Sequence, residues 1–188
     1  EIALAHLGLA ACKGDGLDVV VGGLGLGYTA QAALEDPRIA SLLVVELLQP
    51  IIDWHGANLL PLDPPLSADP RCRIEQADFF AAAASKSGFD PETPTRRFDA
   101  ILIDIEHTPD WHLAPGAHDF YAPEGLAALK HHLKPGGVMG LWSDSEPDPR
   151  FVDRLSGVFA HARAEPVTFP NPLQAQKPVT QTIYLAEA

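Results

Sequence analysis

The sequence predicts an α/β protein, a doubly wound and mostly parallel sheet with an antiparallel C-terminal strand. Three observations carry this reading. The runs at 18–22, 41–46 and 98–105 are almost wholly apolar, as strands covered on both faces are. Segments with helical spacing separate them, the order of β-α units with crossover connections. Each run also ends in glycine or a carboxylate, at the strand end where open α/β sheets bind ligands.

The elements follow in order. Ile2, Leu4, Ala5, Leu7 and Leu9 are dense enough for a mostly buried helix over 1–13, ended by Gly14-Asp15-Gly16. Residues 18–29 read D-V-V-V-G-G-L-G-L-G-Y-T, a buried strand running into a glycine cluster and then a helix over 26–35 that stops before Pro37. A second strand, 41–46, ends at Glu46, and Pro50 opens the next helix through Ile51, Ile52 and Trp54. A proline-rich loop, 61–71, leads to a short strand at 73–76, then Asp78 and an alanine-rich helix at 79–86. After a loop at 87–97, the fourth strand, 98–105, carries Asp104 near its end.

A histidine-rich loop fills 106–120, and a helix is expected over 123–133. Lys134-Pro135-Gly136-Gly137 reads as its stop and turn, and 138–142 as the fifth strand. One more helix, 148–160, precedes two strand candidates, 165–169 and 180–186, whose connection is long for a hairpin.

The chain of 188 residues suits one domain spanning 1–188, and it shows no internal repeat. Twenty-five acidic against 13 basic side chains give a formal charge of -12, which disfavours nucleic acid and anionic lipid as partners. Cys12 and Cys72 are too few for a disulfide framework, so the expected compartment is the reducing cytoplasm. No run reaches the roughly 18 uncharged apolar residues of a membrane span. The chain begins at Glu1 without a methionine, which leaves room for an upstream signal segment or extension.

Glycine spacing narrows the ligand. A dinucleotide fingerprint starting at Gly23 needs glycine where Tyr28 stands, and the phosphate-binding loop of nucleoside triphosphatases needs lysine there. G-x-G-x-G, Gly23 to Gly27, remains, the pattern of sheets that bind an adenosine bearing a sulfonium arm. Gly22, Gly23, Gly25 and Gly27 are therefore the expected ligand turn. Glu46, about 20 residues further on, is placed to accept hydrogen bonds from ribose hydroxyls. Asp78 can accept from the adenine amino group or cap its own helix.

From residue 1 to about 142 the chain resembles the spermidine synthase family and its spermidine synthase-like relatives, which share the Rossmann-like class I methyltransferase fold. The resemblance rests on the ordered set E-I-A-L-A-H-L, V-V-V-G-G-L-G-L-G, V-V-E-L-L-Q-P, D-P-R-C-R-I-E-Q-A-D, F-D-A-I-L-I-D and F-Y-A-P-E-G-L…L-K-P-G-G-V. It implies S-adenosylmethionine or its decarboxylated form as co-substrate and a small cationic amine as acceptor. Glu46 would then hold the ribose, Asp78 the adenine edge, and Asp104 would take the proton of the attacking amine. An amine with a pKa near 10 is protonated at neutral pH, so its attack needs such a base. Tyr121 is a candidate lining of the acceptor pocket, beside its reading as a core tyrosine. The resemblance leaves room for a homodimer.

The chain departs from the family pattern where relatives choose their donor. The family's aspartate in G-G-G-D-G-G is Gly25 here, and the acid that methyltransferases carry two residues before their first glycine is Val21. After Asp104 the family's S-S-D-P becomes Ile105-Glu106-His107-Thr108-Pro109, in which Glu106, one residue out of register, can replace the acceptor-binding charge. The family's N-terminal pairing domain is not part of this sequence. Three readings stay open: aminopropyl transfer, methyl transfer to a small molecule, and adenosyl-ligand binding without catalysis. Glu106, His107, Asp110, His112, His118 and Asp119 are metal-ligand types in no recognised spacing, and no metal is expected.

Overall fold

The computed structural model describes residues 1–105, 108, 117–171 and 175–188, with the side chains of 117 and 118 outside that description. Seven strands form one sheet: β1 (Leu17–Gly22), β2 (Ile39–Glu46), β3 (Cys72–Gln76), β4 (Phe98–Ile103), β5 (Leu133–Ser143), β6 (His161–Asn171) and β7 (Lys177–Glu187), in the order β3-β2-β1-β4-β5-β7-β6. The first five run parallel, and β7 joins β5 and β6 antiparallel. The α/β reading with its parallel sheet and antiparallel C-terminal side is the architecture observed.

Helices α1 (Ile2–Ala11), α2 (Tyr28–Leu34) and α3 (Gln49–Gly56) cover one face, and α4 (Phe79–Ala84), α5 (Ala117–Phe120), α6 (Pro123–Lys130) and α7 (Pro149–Ser156) the other. The period-2 geometry of strands divides the apolar runs between the faces. Val19, Val21, Leu42, Val44, Ala100 and Leu102 join the α1–α2 core, while Val20, Leu43, Val45, Ile101 and Ile103 join the core under α4, α6 and α7. Burial on both faces is why these strands read as continuous apolar runs.

Two expectations need correction. Lys134-Pro135-Gly136-Gly137 is not a turn before β5 but lies within it: Phe98 pairs Leu133 and Ala100 pairs Val138, so these residues bulge out of the ladder. Helix α6 ends at Lys130, and the chain enters the sheet directly. The C-terminal pair is also a true antiparallel ribbon, in register from His161↔Glu187 to Asn171↔Lys177. Its prolines are tolerated because β6 is an edge strand, and Pro178 lies beyond the stretch of β7 that pairs with β5. Helix boundaries are shorter than the sequence patterns, most of all α7, which stops at Ser156. The loop over 106–120 contains α5 at its end, and its other residues, Thr108 apart, lie outside the described set. No helix among the described residues is long and apolar enough to cross a membrane.

At the N-terminal ends of the strands, ion pairs join β1, β2, β4 and β5. Asp18 accepts from Arg96 Nη2 at 2.6 Å, Ser41 Oγ at 2.8 Å and Lys134 Nζ at 2.9 Å, and its own N–H donates to Asp99 Oδ2 at 2.8 Å. Lys134 also donates to Asp99 Oδ2, at 2.8 Å. Arg96 continues to buried Asp90, which also receives Arg73. Burial raises the Asp18 carboxyl, but hydrogen bonds from Lys134, Ser41 and Arg96 outweigh it and hold the group below its usual range. Folding therefore gains from the ionised form above the ordinary aspartate pKa of about 3.9, and that gain is lost as pH falls through the lowered value. Asp18→Ala removes one of the two acids held by each of Arg96 and Lys134, and it should cost about 1–3 kcal/mol at pH 7 in urea denaturation. The difference from the parent should shrink below about pH 3.9; an unchanged midpoint at pH 7 would refute the staple.

Candidate functional site

The connection from β1 to α2 is a tight turn pressed against the end of β4. Asp104 N–H donates to Gly22 O at 2.9 Å, and Gly23 N–H donates to Val45 O at 2.9 Å, so the turn is tied to both neighbouring strands. Gly23 has φ +89°, and a Cβ there would collide with the Asp104 carbonyl oxygen. Gly25, at φ +45°, is different: a Cβ there would meet nothing within 4 Å. Space for a ligand thus opens at Gly25, while Gly23 provides close packing. Gly27 N-caps α2 with φ +88°, and at Gly22 a Cβ would lie 2.6 Å from the Phe79 ring.

Two side chains hold the turn. Glu46, 9% exposed at the end of β2, accepts from Leu24 N–H through Oε2 at 2.9 Å and from Leu48 N–H through Oε1 at 2.8 Å. Its carboxylate thereby ties the glycine turn to the start of α3. Each oxygen keeps a second lone-pair direction, as a carboxylate with about four acceptor sites does. His55, buried at the end of α3, places Nε2 3.0 Å from Gly25 O. The sequence reading did not single out His55; nothing in its helical context separates it from any other helix-end histidine.

Asp78 N-caps α4, accepting from Phe80 N–H at 2.9 Å and Ala81 N–H at 3.1 Å, both through Oδ1. The carboxylate is exposed, and Oδ2 has no hydrogen bond among the described residues. The capping geometry therefore leaves one oxygen for a ligand.

Asp104 lies just past β4, and its Oδ2 accepts from Thr29 Oγ1 at 2.7 Å. Burial raises its proton affinity above the usual aspartate value, with the Thr29 hydroxyl pulling in the other direction. Glu1 is raised too, first by its burial and then by the negative charge of Asp104. Thr29 is thus a site residue that sequence reasoning missed, because it meets Asp104 only across 75 positions of chain.

Tyr121 is 1% exposed in the core beneath α4, α6 and α7, with its ring against Phe120 and Phe151. Glu106, with His107, Asp110 and His112 of the histidine-rich loop, lies outside the described residues. Among the described residues no group of three histidine, cysteine, aspartate or glutamate side chains could hold a metal ion. Cys12 and Cys72 are free thiols, pushed up by burial to about 11 and about 12.

A groove of about 620 Å³ runs from Glu1, Ile2 and Tyr28 to Trp142 and Phe169. A cavity of about 680 Å³ beside Arg97, Lys130, His131 and Lys134 lies where β5 begins, the pole away from the glycine turn. The strand ends therefore present the turn with Glu46 and Asp78 on the β1–β3 side, the groove on the β5–β7 side, and Asp104 between them.

No protein-family profile matches the chain. The sheet and its helices superpose on spermidine synthase from Thermotoga maritima with a TM-score of 0.70, at 20% identity over 98% of this chain and 58% of that one. A spermidine synthase solved with the transition-state analogue AdoDATO gives 0.70 at 19% identity, over 98% and 59%. Human methyltransferase-like protein 13, solved with SAH, gives 0.68 at 18% identity, over 97% and 80%. The chain spans less than two thirds of the length of these spermidine synthases. Its fold is that of the class I methyltransferases, in the version found in spermidine synthases.

Proposed function

We propose that the protein is a transferase that binds an adenosyl sulfonium donor at the glycine turn and passes an aminopropyl group to an amine, with Asp104 as the proton acceptor. The observation that carries this is the position of Asp104, backed directly onto the turn and hydrogen-bonded to Thr29, the neighbour in α2 of the groove-lining Tyr28. The residues fit such a donor. Space is open above Gly25, Glu46 retains acceptor directions for ribose hydroxyls, and Asp78 keeps Oδ2 for the adenine amino group.

The donor supplies an activated carbon–sulfur bond. As the acceptor nitrogen forms its bond to that carbon and the bond to sulfur breaks, a neutral thioether leaves and the nitrogen must shed a proton. Asp104 Oδ1, which has no hydrogen bond among the described residues, is the oxygen placed to take it. Thr29 fixes the carboxyl by bonding Oδ2. The raised proton affinity of Asp104 brings it closer to that of an amine, which favours transfer.

Methyl transfer is the second reading, and one observation favours it: Gly25 offers no carboxylate to a free aminopropyl ammonium, although Val21, wholly buried in β1, offers none to the amino group of S-adenosylmethionine either. Calorimetric titration with methylthioadenosine, S-adenosylmethionine and its decarboxylated form separates the readings. Methylthioadenosine should bind, and the decarboxylated form should bind more tightly than S-adenosylmethionine; the reverse order supports methyl transfer, and no binding by any of the three ends the adenosyl reading. A bound ligand without turnover on any amine would leave a non-catalytic binding protein.

Asp104→Asn should keep donor affinity and lower kcat by about 10²–10⁴-fold. Because the folded carboxyl binds its proton more tightly than an ordinary aspartate, the acid limb of kcat/KM should lie above about pH 3.9 and vanish in this variant. Full activity in Asp104→Asn removes this residue from the mechanism. Gly23→Ala should abolish donor binding through backbone collision. Gly25→Asp, with open space and a left-handed φ that aspartate tolerates, should fold and shift preference toward the decarboxylated donor by about tenfold. An unchanged donor preference in that variant would show that the space over Gly25 does not face the donor's amino end.

A further inference from the structure

The groove on the β5–β7 side is walled mainly by apolar side chains. Its walls are the rings of Tyr28, Trp142 and Phe169 with the aliphatic side chains of Ile2, Val167 and Ile183, and its volume of about 620 Å³ falls within the usual range for small-molecule sites. Ile2 and Phe169 stay 52% and 36% exposed, so apolar surface is left open to water there. Tyr28, Trp142 and Val167 are half-buried against the core, which makes these walls firm.

The polar groups are few, and most are occupied. Trp142 Nε1 donates to Gln181 Oε1 at 3.0 Å, and Gln181 Nε2 donates to Asp144 Oδ1 at 2.9 Å. This chain sets the indole plane and turns the Gln181 amide away from service as a ligand group. Asp144 is exposed and is not part of the wall. Among the described residues Glu1 is the one carboxylate that lines the groove, and it lies at the end that feels the charge of Asp104. Tyr28, beside Thr29 in α2, marks the same end.

From this polarity we infer that the groove is the acceptor site and that it takes a primary amine carried on an apolar body, an arylalkyl or branched alkyl amine, in preference to an α,ω-diamine. The amine lies at the Asp104 and Glu1 end, and the apolar body lies among Trp142, Phe169, Val167 and Ile183. A diamine of similar length would bring its second ammonium against these walls, where no carboxylate of the described residues lines the groove. Desolvating that charge is unfavourable, whereas an aryl or branched alkyl group gains by leaving water. This inference rests on the adenosyl-donor reading above and specifies its acceptor.

Two calorimetric titrations test it separately. In the first, methylthioadenosine is titrated into the full chain; failure to bind overturns the donor reading and the inference with it. In the second, the protein saturated with methylthioadenosine is titrated with 2-phenylethylamine or putrescine. The aryl amine should bind at least tenfold more tightly. Equal affinity, tighter binding of putrescine, or binding of neither amine overturns the acceptor assignment while the donor reading stands. Phe169 lies on the exposed edge strand, so its variants should fold, as thermal melting would verify. Phe169→Ala should weaken 2-phenylethylamine at least fivefold without changing the Kd of methylthioadenosine. Phe169→Glu should bring the two amines to parity or reverse their order. Unaltered amine affinities in both folded variants would place the acceptor elsewhere.

Discussion

The backbone contact between the glycine turn and the start of the β4–α5 connection governs the ligand-binding end. Gly22 O receives the Asp104 N–H, and Gly23 leaves no volume between its α-carbon and the Asp104 carbonyl. That contact fixes the Asp104 backbone between the β1–β3 side of the sheet and the β5–β7 side. Strands β1 and β4 are neighbours in space although 81 positions separate Val19 from its ladder partner Ala100, and the order change at β1 is what opens a crevice there. Thr29 and Glu46 then act on that frame, one orienting the Asp104 carboxyl and the other anchoring Leu24.

Charge is divided between the two poles. The N-terminal strand ends carry a closed set of ion pairs among Asp18, Arg96, Lys134, Asp99 and Asp90, in which basic groups are matched to acids. The opposite pole holds Glu46, Asp78, Asp104 and Glu1 with no lysine or arginine ion pair to them among the described residues. Such a pole favours a ligand that brings positive charge, and a sulfonium and an ammonium both do so. The stabilising charges are thus kept apart from the ones available for chemistry.

The sheet was legible in the sequence because its central strands are buried on both faces, which leaves Val19–Val21, Leu42–Val45 and Ala100–Ile103 as unbroken apolar runs. Glu46 and Asp104 stood out as candidates for a related reason, since each closes such a run, whereas Asp78 follows the short, half-buried β3 at the start of α4. Local punctuation misled where tertiary pairing overrode it. Pro135 and Gly136 look like a stop, but Lys134 reaches the acids at the sheet's base and the backbone bulges around the proline without leaving the ladder. Pro170 and Pro178 look like strand breakers, but they face each other near the end of a ribbon. His55, Thr29 and the Trp142–Gln181 contact left no signal, because each depends on partners that only the fold brings near.

The position of β7 has a consequence for synthesis. Its Ile183, Tyr184 and Leu185 are buried between β5 and β6, although it follows both in the chain. During translation, β1 to β5 can assemble as an ordered parallel array, while β6 has no neighbour until β7 emerges. The face bearing Val167, Phe169 and Gln181 therefore forms only once β7 has joined β6. Until then the exposed edge of β5 is an open template for unwanted pairing, and the arrival of β7 covers it.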